Sequence, residues 1–283
     1  MKLFVENITQ LDFSYLDRRR GLLGETWHVD VELEGEQDDQ GMLWDFGLVK
    51  KTIKNWMDQT LDHVLVVPEK ANWIELRASQ HFMEMGAKLH AGTFTMKAPH
   101  SAFSQVPLET IDMFSVAEWA ADAVRKELPK TVTRCRFKFY PEDIAGSYYH
   151  YSHGLKHHVG NCQRIAHGHR SAIKIKRGEN RDTGCEQLVA DYLADSYLGL
   201  REDLVKLTAK TAHFRYSAAQ GDFELMLPAQ QVRLLDVDTT VENIALWLAQ
   251  GIVGQYYKAD DDNQRLTEVR AYEGIGKGAI AAL

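Results

Sequence analysis

Three cysteines in 283 residues are too few for a disulfide framework, and no Gly/Ser linker marks the join between the halves near Asp143 to Tyr149. Cys135, Cys162 and Cys185 lie far apart, so cross-links do not hold the fold. Long apolar runs are missing too. None approaches the roughly 18 residues of a membrane-spanning helix, and Met1-Lys-Leu-Phe-Val-Glu lacks the apolar stretch of a secretion signal. A cytoplasmic protein with no membrane partner is expected. Basic charge is also short: 33 Lys and Arg against 40 Asp and Glu leave a net −7, which argues against nucleic acid as a partner. A phosphorylated substrate would need a local basic patch. The apolar fraction of 45% suits a soluble globular chain long enough for two ordinary domains.

Histidine is what the chain has in one place. Six of its twelve fall between residues 150 and 169: His150, His153, His157, His158, His167 and His169, with Cys162 among them. His167-Gly168-His169 opens a strand-like run, Ser171 to Arg177. On a strand, residues two apart share a face, so both imidazoles point the same way. A third histidine completes three ligands, a set that leaves zinc's fourth position open as catalytic sites do. His153 is the expected third, with His157 and His158 as alternatives.

A histidine, a short loop carrying a cysteine, then His-Gly-His leading into a strand resembles the 6-pyruvoyltetrahydropterin synthase family, including the bacterial 6-carboxytetrahydropterin synthases of queuosine biosynthesis. Downstream, Thr239-Thr240-Val241-Glu242-Asn243-Ile244-Ala245 is similar to the family's Thr-x-Glu-Asn-x-Ala helix start. Thr239 or Thr240 is independently a good N-cap there. Val269-Arg270-Ala271-Tyr272-Glu273 is similar to its final strand. The resemblance implies that Glu242 and Glu273 bind the pterin ring.

The family's Asp-His pair is missing from that half and occurs in the other, as Asp62-His63, after the family-like turn Gly41 to Gly47. The chain therefore resembles two fused family units, residues 1–145 and 146–283, with complementary losses. In the first, Leu22-Leu23-Gly24-Glu25-Thr26 stands where His-Gly-His would be, and Ala117 where the pterin-binding glutamate would be. One working site per chain follows, built from His153, His167, His169, Cys162, Glu242 and Glu273 of the second unit and Asp62-His63 of the first.

The resemblance implies an α+β tunnelling fold: in each unit an antiparallel sheet with two helices on one face, the units closing into a barrel as a homo-oligomer. It implies a zinc-dependent lyase that eliminates triphosphate from 7,8-dihydroneopterin triphosphate, with Cys162, His63 and Asp62 moving protons. Lys156, His157, His158, Arg164 and Arg170 are candidate cations for the triphosphate. The rival readings are another tunnelling-fold enzyme acting on a purine or pterin, and a non-catalytic pterin- or metal-binding protein. Periodicity places helices at Phe46–Leu61, Val116–Leu128, Cys185–Leu200 and Val241–Val253. It leaves two stretches longer than the family template, about Trp73–Gln105 and Thr208–Leu235.

Overall fold

Residues 1–258 and 267–282 are described in a computed structural model. The first half contains β1 (Lys2–Asp17), β2 (Gly21–Gly35), α1 (Phe46–Thr60), β3 (Leu65–Pro68), β4 (Ile74–Ala78), β5 (Met83–Leu89), β6 (Gly92–Ala98), β7 (Phe103–Val106), α2 (Met113–Ala123) and β8 (Val132–Tyr140). The second contains β9 (Tyr148–His153), β10 (His167–Arg177), the short β11 (Asn180–Arg181), α3 (Thr183–Leu193), β12 (Ser196–Leu200), β13 (Leu204–Leu207), β14 (Thr211–Ala218), β15 (Gly221–Pro228) and β16 (Val232–Leu235). It ends with α4 (Val241–Leu248), a π-helical turn (Ala249–Val253), α5 (Gly254–Lys258), β17 (Thr267–Tyr272) and β18 (Gly278–Ala282).

The halves repeat one α+β plan. Strand order is β7-β3-β1-β2-β8 in the first sheet and β16-β12-β9-β10-β17-β18 in the second. The antiparallel centre of each is extended by two short parallel strands, β3 and β7 or β12 and β16. Two helices cover one face of each sheet. Val49, Ile53 and Met57, at helical spacing on α1, join Val116 and Ala120 of α2 over Phe13, Trp27 and Phe139. In the second half Val189, Ile244 and Leu248 cover Tyr149, Tyr151 and Ile173 in the same way. The side chains of Asp45, Asp112, Asp182 and Thr240 each cap the N-terminus of one of the first four helices, satisfying amide donors that have no partner inside the helix.

The third helix stops sooner than periodicity indicates. It ends at Leu193, Asp195 takes a left-handed φ of 54°, and the wholly buried Ser196–Leu200 becomes β12. A short, fully buried apolar run is compatible with helix or strand, and here pairing between β9 and β16 decides.

The two long stretches do not form separate decorations. β4-β5-β6 from the first half and β13-β14-β15 from the second join edge to edge through β15 and β6, giving one six-stranded antiparallel sheet. Phe94, Met96, Phe214 and Leu225 on its inner face share a core with Leu22, Leu65, Ile165 and Tyr197 of the other sheets. No described helix is long and apolar enough to cross a membrane.

Candidate metal centre and active site

The antiparallel register of β9 and β10 sets His153 directly opposite His167, and His169 lies two residues further on the same face. All three are at most 1% exposed. One ligand nitrogen from each falls within 4.8 Å of the others, and the His153 and His169 Nε2 atoms are 3.2 Å apart.

Their outer nitrogens determine what the inner ones offer. His153 Nδ1 donates to the Thr239 carbonyl at 3.0 Å and His167 Nδ1 to the Arg164 carbonyl at 2.9 Å. His169 Nδ1 lies 3.0 Å from Asp12 Oδ1. A carbonyl or carboxylate only accepts, so in a neutral imidazole the opposite Nε2 carries a lone pair. Burial first, and the neighbouring imidazoles next, hold the pKa values of His153 and His167 well below 6.5. Neutral, buried His153 and His167 therefore direct lone pairs into the space they share with His169, an arrangement a cation relieves. The donor set fits a metal ion.

Cys162 sits beside this cluster in a single turn of 3₁₀ helix, Gly160–Gln163. His63, Cys162 and His167 also place one polar atom each within 4.8 Å of one another. His63 comes from the other half, on a corner with φ of 53°, and its Nδ1 bonds Asp62 Oδ2 at 2.6 Å. Burial opposes charge on His63, but the Asp62 carboxylate and Cys162 outweigh it and push the pKa up to about 10.

The Cys162 turn is gripped by the added sheet. Tyr216 of β14 donates to the Gln163 carbonyl at 2.6 Å, and the Gln220 amide, between β14 and β15, donates to Gln163 Oε1 at 3.1 Å. Gln220 Nε2 also donates to Asn161 Oδ1 at 2.9 Å. Arg164 bridges Gln220 Oε1 to the His63 carbonyl, at 3.2 Å each. Of the candidate cations, Arg164 is thus a brace between loops. Lys156 is paired with Glu202 and Asp203, and His157 with Asp238. His158 is exposed and bonds the Val159 carbonyl. Arg170 lies over the Tyr148 ring and donates to the Glu142 carbonyl.

Glu273 follows β17, half-buried, and its charge reaches Tyr151 and Lys277. Tyr151 in turn lies 5.2 Å, ring to ring, from His153 and from His169. Glu242 stands exposed in the first turn of α4, three residues after Thr239. Sequence reasoning missed Asp12, Thr239 as a partner of His153, Gln220 and Lys277. For Asp12 one signal existed, an acid between Leu11 and Phe13 in an apolar strand.

Register shows what became of the matching positions in the first half. Ser14 pairs with Gly24 as Ser152 pairs with Gly168. Counting outward, His153, His167 and His169 correspond to Tyr15, Leu23 and Glu25, and His150 to Asp12. Asp112 caps α2 as Thr240 caps α4, so Phe114 rather than Ala117 stands at the position of Glu242.

Comparison with known proteins gives this duplication a name. The 6-pyruvoyl tetrahydropterin synthase family matches the chain twice, over residues 11–149 and 144–282. The chain belongs to that family. Its curated relatives include "Putative 6-carboxy-5,6,7,8-tetrahydropterin synthase" of Pyrococcus abyssi, 28% identical over 132 residues, or 47% of this chain and 76% of the relative. The protein of the same name from Pyrococcus horikoshii is 21% identical over the same shares. Among solved structures, the 6-pyruvoyl tetrahydropterin synthase of Plasmodium vivax aligns with 49% of this chain and 90% of its own, at 15% identity and a TM-score of 0.40. Family membership and a metal-competent histidine cluster thus meet in one chain of two tandem units.

Proposed function

We propose that the protein is a zinc-dependent lyase of the 6-pyruvoyltetrahydropterin and 6-carboxytetrahydropterin synthase type, eliminating triphosphate from 7,8-dihydroneopterin triphosphate. The convergence of three histidine lone pairs beside a Cys162–His63–Asp62 array carries this reading. Zinc held by His153, His167 and His169 would supply a Lewis acid toward the hydroxyls of the substrate side chain.

The remaining work falls to side chains. Cys162 removes and returns the protons of the side-chain carbons, and His63 exchanges protons with it across their hydrogen bond. Asp62 keeps His63 in one orientation and stabilises its cation. Glu273 and Glu242 accept from the amino and ring N–H groups of the pterin, which fixes the ring. Lys277, half-exposed in the turn after β17, pairs with Asp12 at 3.2 Å, and the charge of Glu273 reaches it. Loss of triphosphate with internal redox leaves the 6-pyruvoyl product, and further cleavage of the side chain by water, with acetaldehyde leaving, gives the 6-carboxy one. The sides of edge strands β8 and β18 that have no partner strand among the described residues support assembly into a homo-oligomer by strand pairing.

The test is incubation of zinc-loaded protein with 7,8-dihydroneopterin triphosphate, following triphosphate release and identifying the pterin by mass. A 6-pyruvoyl or 6-carboxy tetrahydropterin, lost in Cys162→Ala, is expected. Intact substrate with zinc bound overturns the catalytic reading and leaves a metal- or pterin-binding protein.

A further inference from the structure

We infer that Asp12, from the first half of the chain, is a positioning residue for the metal centre of the second. This rests on the reading that the three imidazoles hold a metal ion. His153 and His167 are each anchored by a carbonyl, whereas His169 faces a carboxylate, Asp12 Oδ1, at 3.0 Å. The contact lies outside strict hydrogen-bond geometry, and no other hydrogen-bond partner among the described residues reaches His169 Nδ1. Asp12 is 4% exposed and His169 1%, so water does not compete for either.

Asp12 is itself held from three sides. Thr26 Oγ1 donates to its Oδ1 at 2.6 Å, Lys277 Nζ to its Oδ2 at 3.2 Å, and its backbone joins the Asp62–His63 corner. There the Asp12 amide donates to Asp62 Oδ1 at 2.9 Å, and the Asp12 carbonyl accepts from the His63 amide at 2.6 Å. One residue therefore orients a ligand through its side chain and the proton-transfer pair through its main chain. A carboxylate behind an imidazole fixes its tautomer, raises its basicity toward a metal and adds negative charge that favours a dication.

The matching position in the repeat shows that the carboxylate is not a requirement of the fold. There the residue is His150, also buried, 3.9 Å from Glu25, which replaces the ligand His169. The acid stands only behind the half of the duplication that kept its histidines.

The experiment titrates metal-free protein with zinc against a chromophoric chelator, and with cobalt(II) while recording its visible spectrum. Asp12→Asn is expected to weaken zinc by about 10- to 100-fold and to shift the cobalt bands, with one ion still bound per chain. Thr26→Val, which removes the hydroxyl holding Asp12 and keeps the carboxylate, is expected to weaken zinc several-fold and decides the matter if Asp12→Asn does not fold. His150→Asn is the control, with wild-type affinity. Wild-type affinity and cobalt spectra in both Asp12→Asn and Thr26→Val, or equal weakening in His150→Asn, overturns the inference. Failure of the wild-type protein to take up either ion overturns instead the metal reading on which it rests.

Discussion

Ser14 and Ser152 hydrogen-bond hydroxyl to hydroxyl at 2.8 Å, each from the equivalent position of its own half. Beside them Gly24 and Gly168 bring the two sheets into backbone contact: a methyl group on Gly24 would overlap the Tyr151 carbonyl and the His169 amide, and one on Gly168 would come within 2.6 Å of Gly24 Cα. The halves thus cross about a local twofold, and the residues flanking it form the metal centre on one side and its altered counterpart on the other.

Gly24→Ala is expected to destabilise the protein by roughly 3 kcal/mol or more, since the obstacles are backbone atoms that cannot rotate away. Urea unfolding and the zinc content of the purified protein measure it. A variant with wild-type stability would show that the sheets can separate at this crossing.

Metal stoichiometry follows from register. Tyr15, Leu23 and Glu25 offer no imidazole where the second half offers three, so titration is expected to find one high-affinity zinc per chain. His167→Ala is expected to abolish it. Zinc at about 100 times its Kd is expected to stabilise the native protein by about 2.7 kcal/mol, a gain absent from the variant. Two tight ions per chain would refute the assignment.

Proton transfer and metal binding are expected to separate by mutation. Cys162→Ala and His63→Asn are each expected to lower kcat by about 10²- to 10⁴-fold while zinc content stays at the wild-type level. Single-turnover measurements with zinc-loaded proteins check this. Wild-type turnover in Cys162→Ala would require another base.

The altered counterpart has its own pH signature. Burial raises the pKa of Glu25 to about 7, against the pull of the Thr26 amide and the charges of Arg170 and Arg20. Its folded pKa exceeds its unfolded one, so the stabilisation is complete below about pH 4.5 and is lost as pH rises through 7. The loss is on the order of 3 kcal/mol. Glu25→Gln is therefore expected to gain stability over wild type at pH 8 and to match it near pH 4.5, as read by urea unfolding of metal-free protein. An equal difference at both values would exclude this titration as the cause. His150 works at the other end: burial lowers its pKa to about 4, so its contribution is present above about pH 6.5 and is lost as pH falls toward 4.

Reactivity of Cys162 reports the grip of the added sheet. Cys135 and Cys185 are buried, so alkylation by iodoacetamide reads Cys162. Gln220→Ala removes the side-chain bridges to Asn161 and Arg164 and is expected to quicken alkylation several-fold with little change in melting temperature. An unchanged rate would show that Tyr216 and the Gln220 backbone hold the turn by themselves.

Local pattern made part of this protein legible from sequence. A strand's period of two put His167 and His169 on one face, and helical spacing placed Val49, Ile53 and Met57 together. Both depend on the geometry of a few consecutive residues, as does the cap at Thr240. Likeness between the halves was readable for the same reason, since each carried fragments of one template.

The tertiary structure alone decided what faces what across the halves. Asp12 meets His169 over 157 positions of chain. The two added stretches, separately unremarkable, become one sheet only because β6 and β15 present free edges to each other. Leu193 ends a helix that periodicity would continue, because Ser196–Leu200 pairs more favourably between two strands than it would as another turn of helix. These outcomes turn on contacts whose partners lie far apart in the chain, and local periodicity carries no record of them; packing of the two halves supplies it.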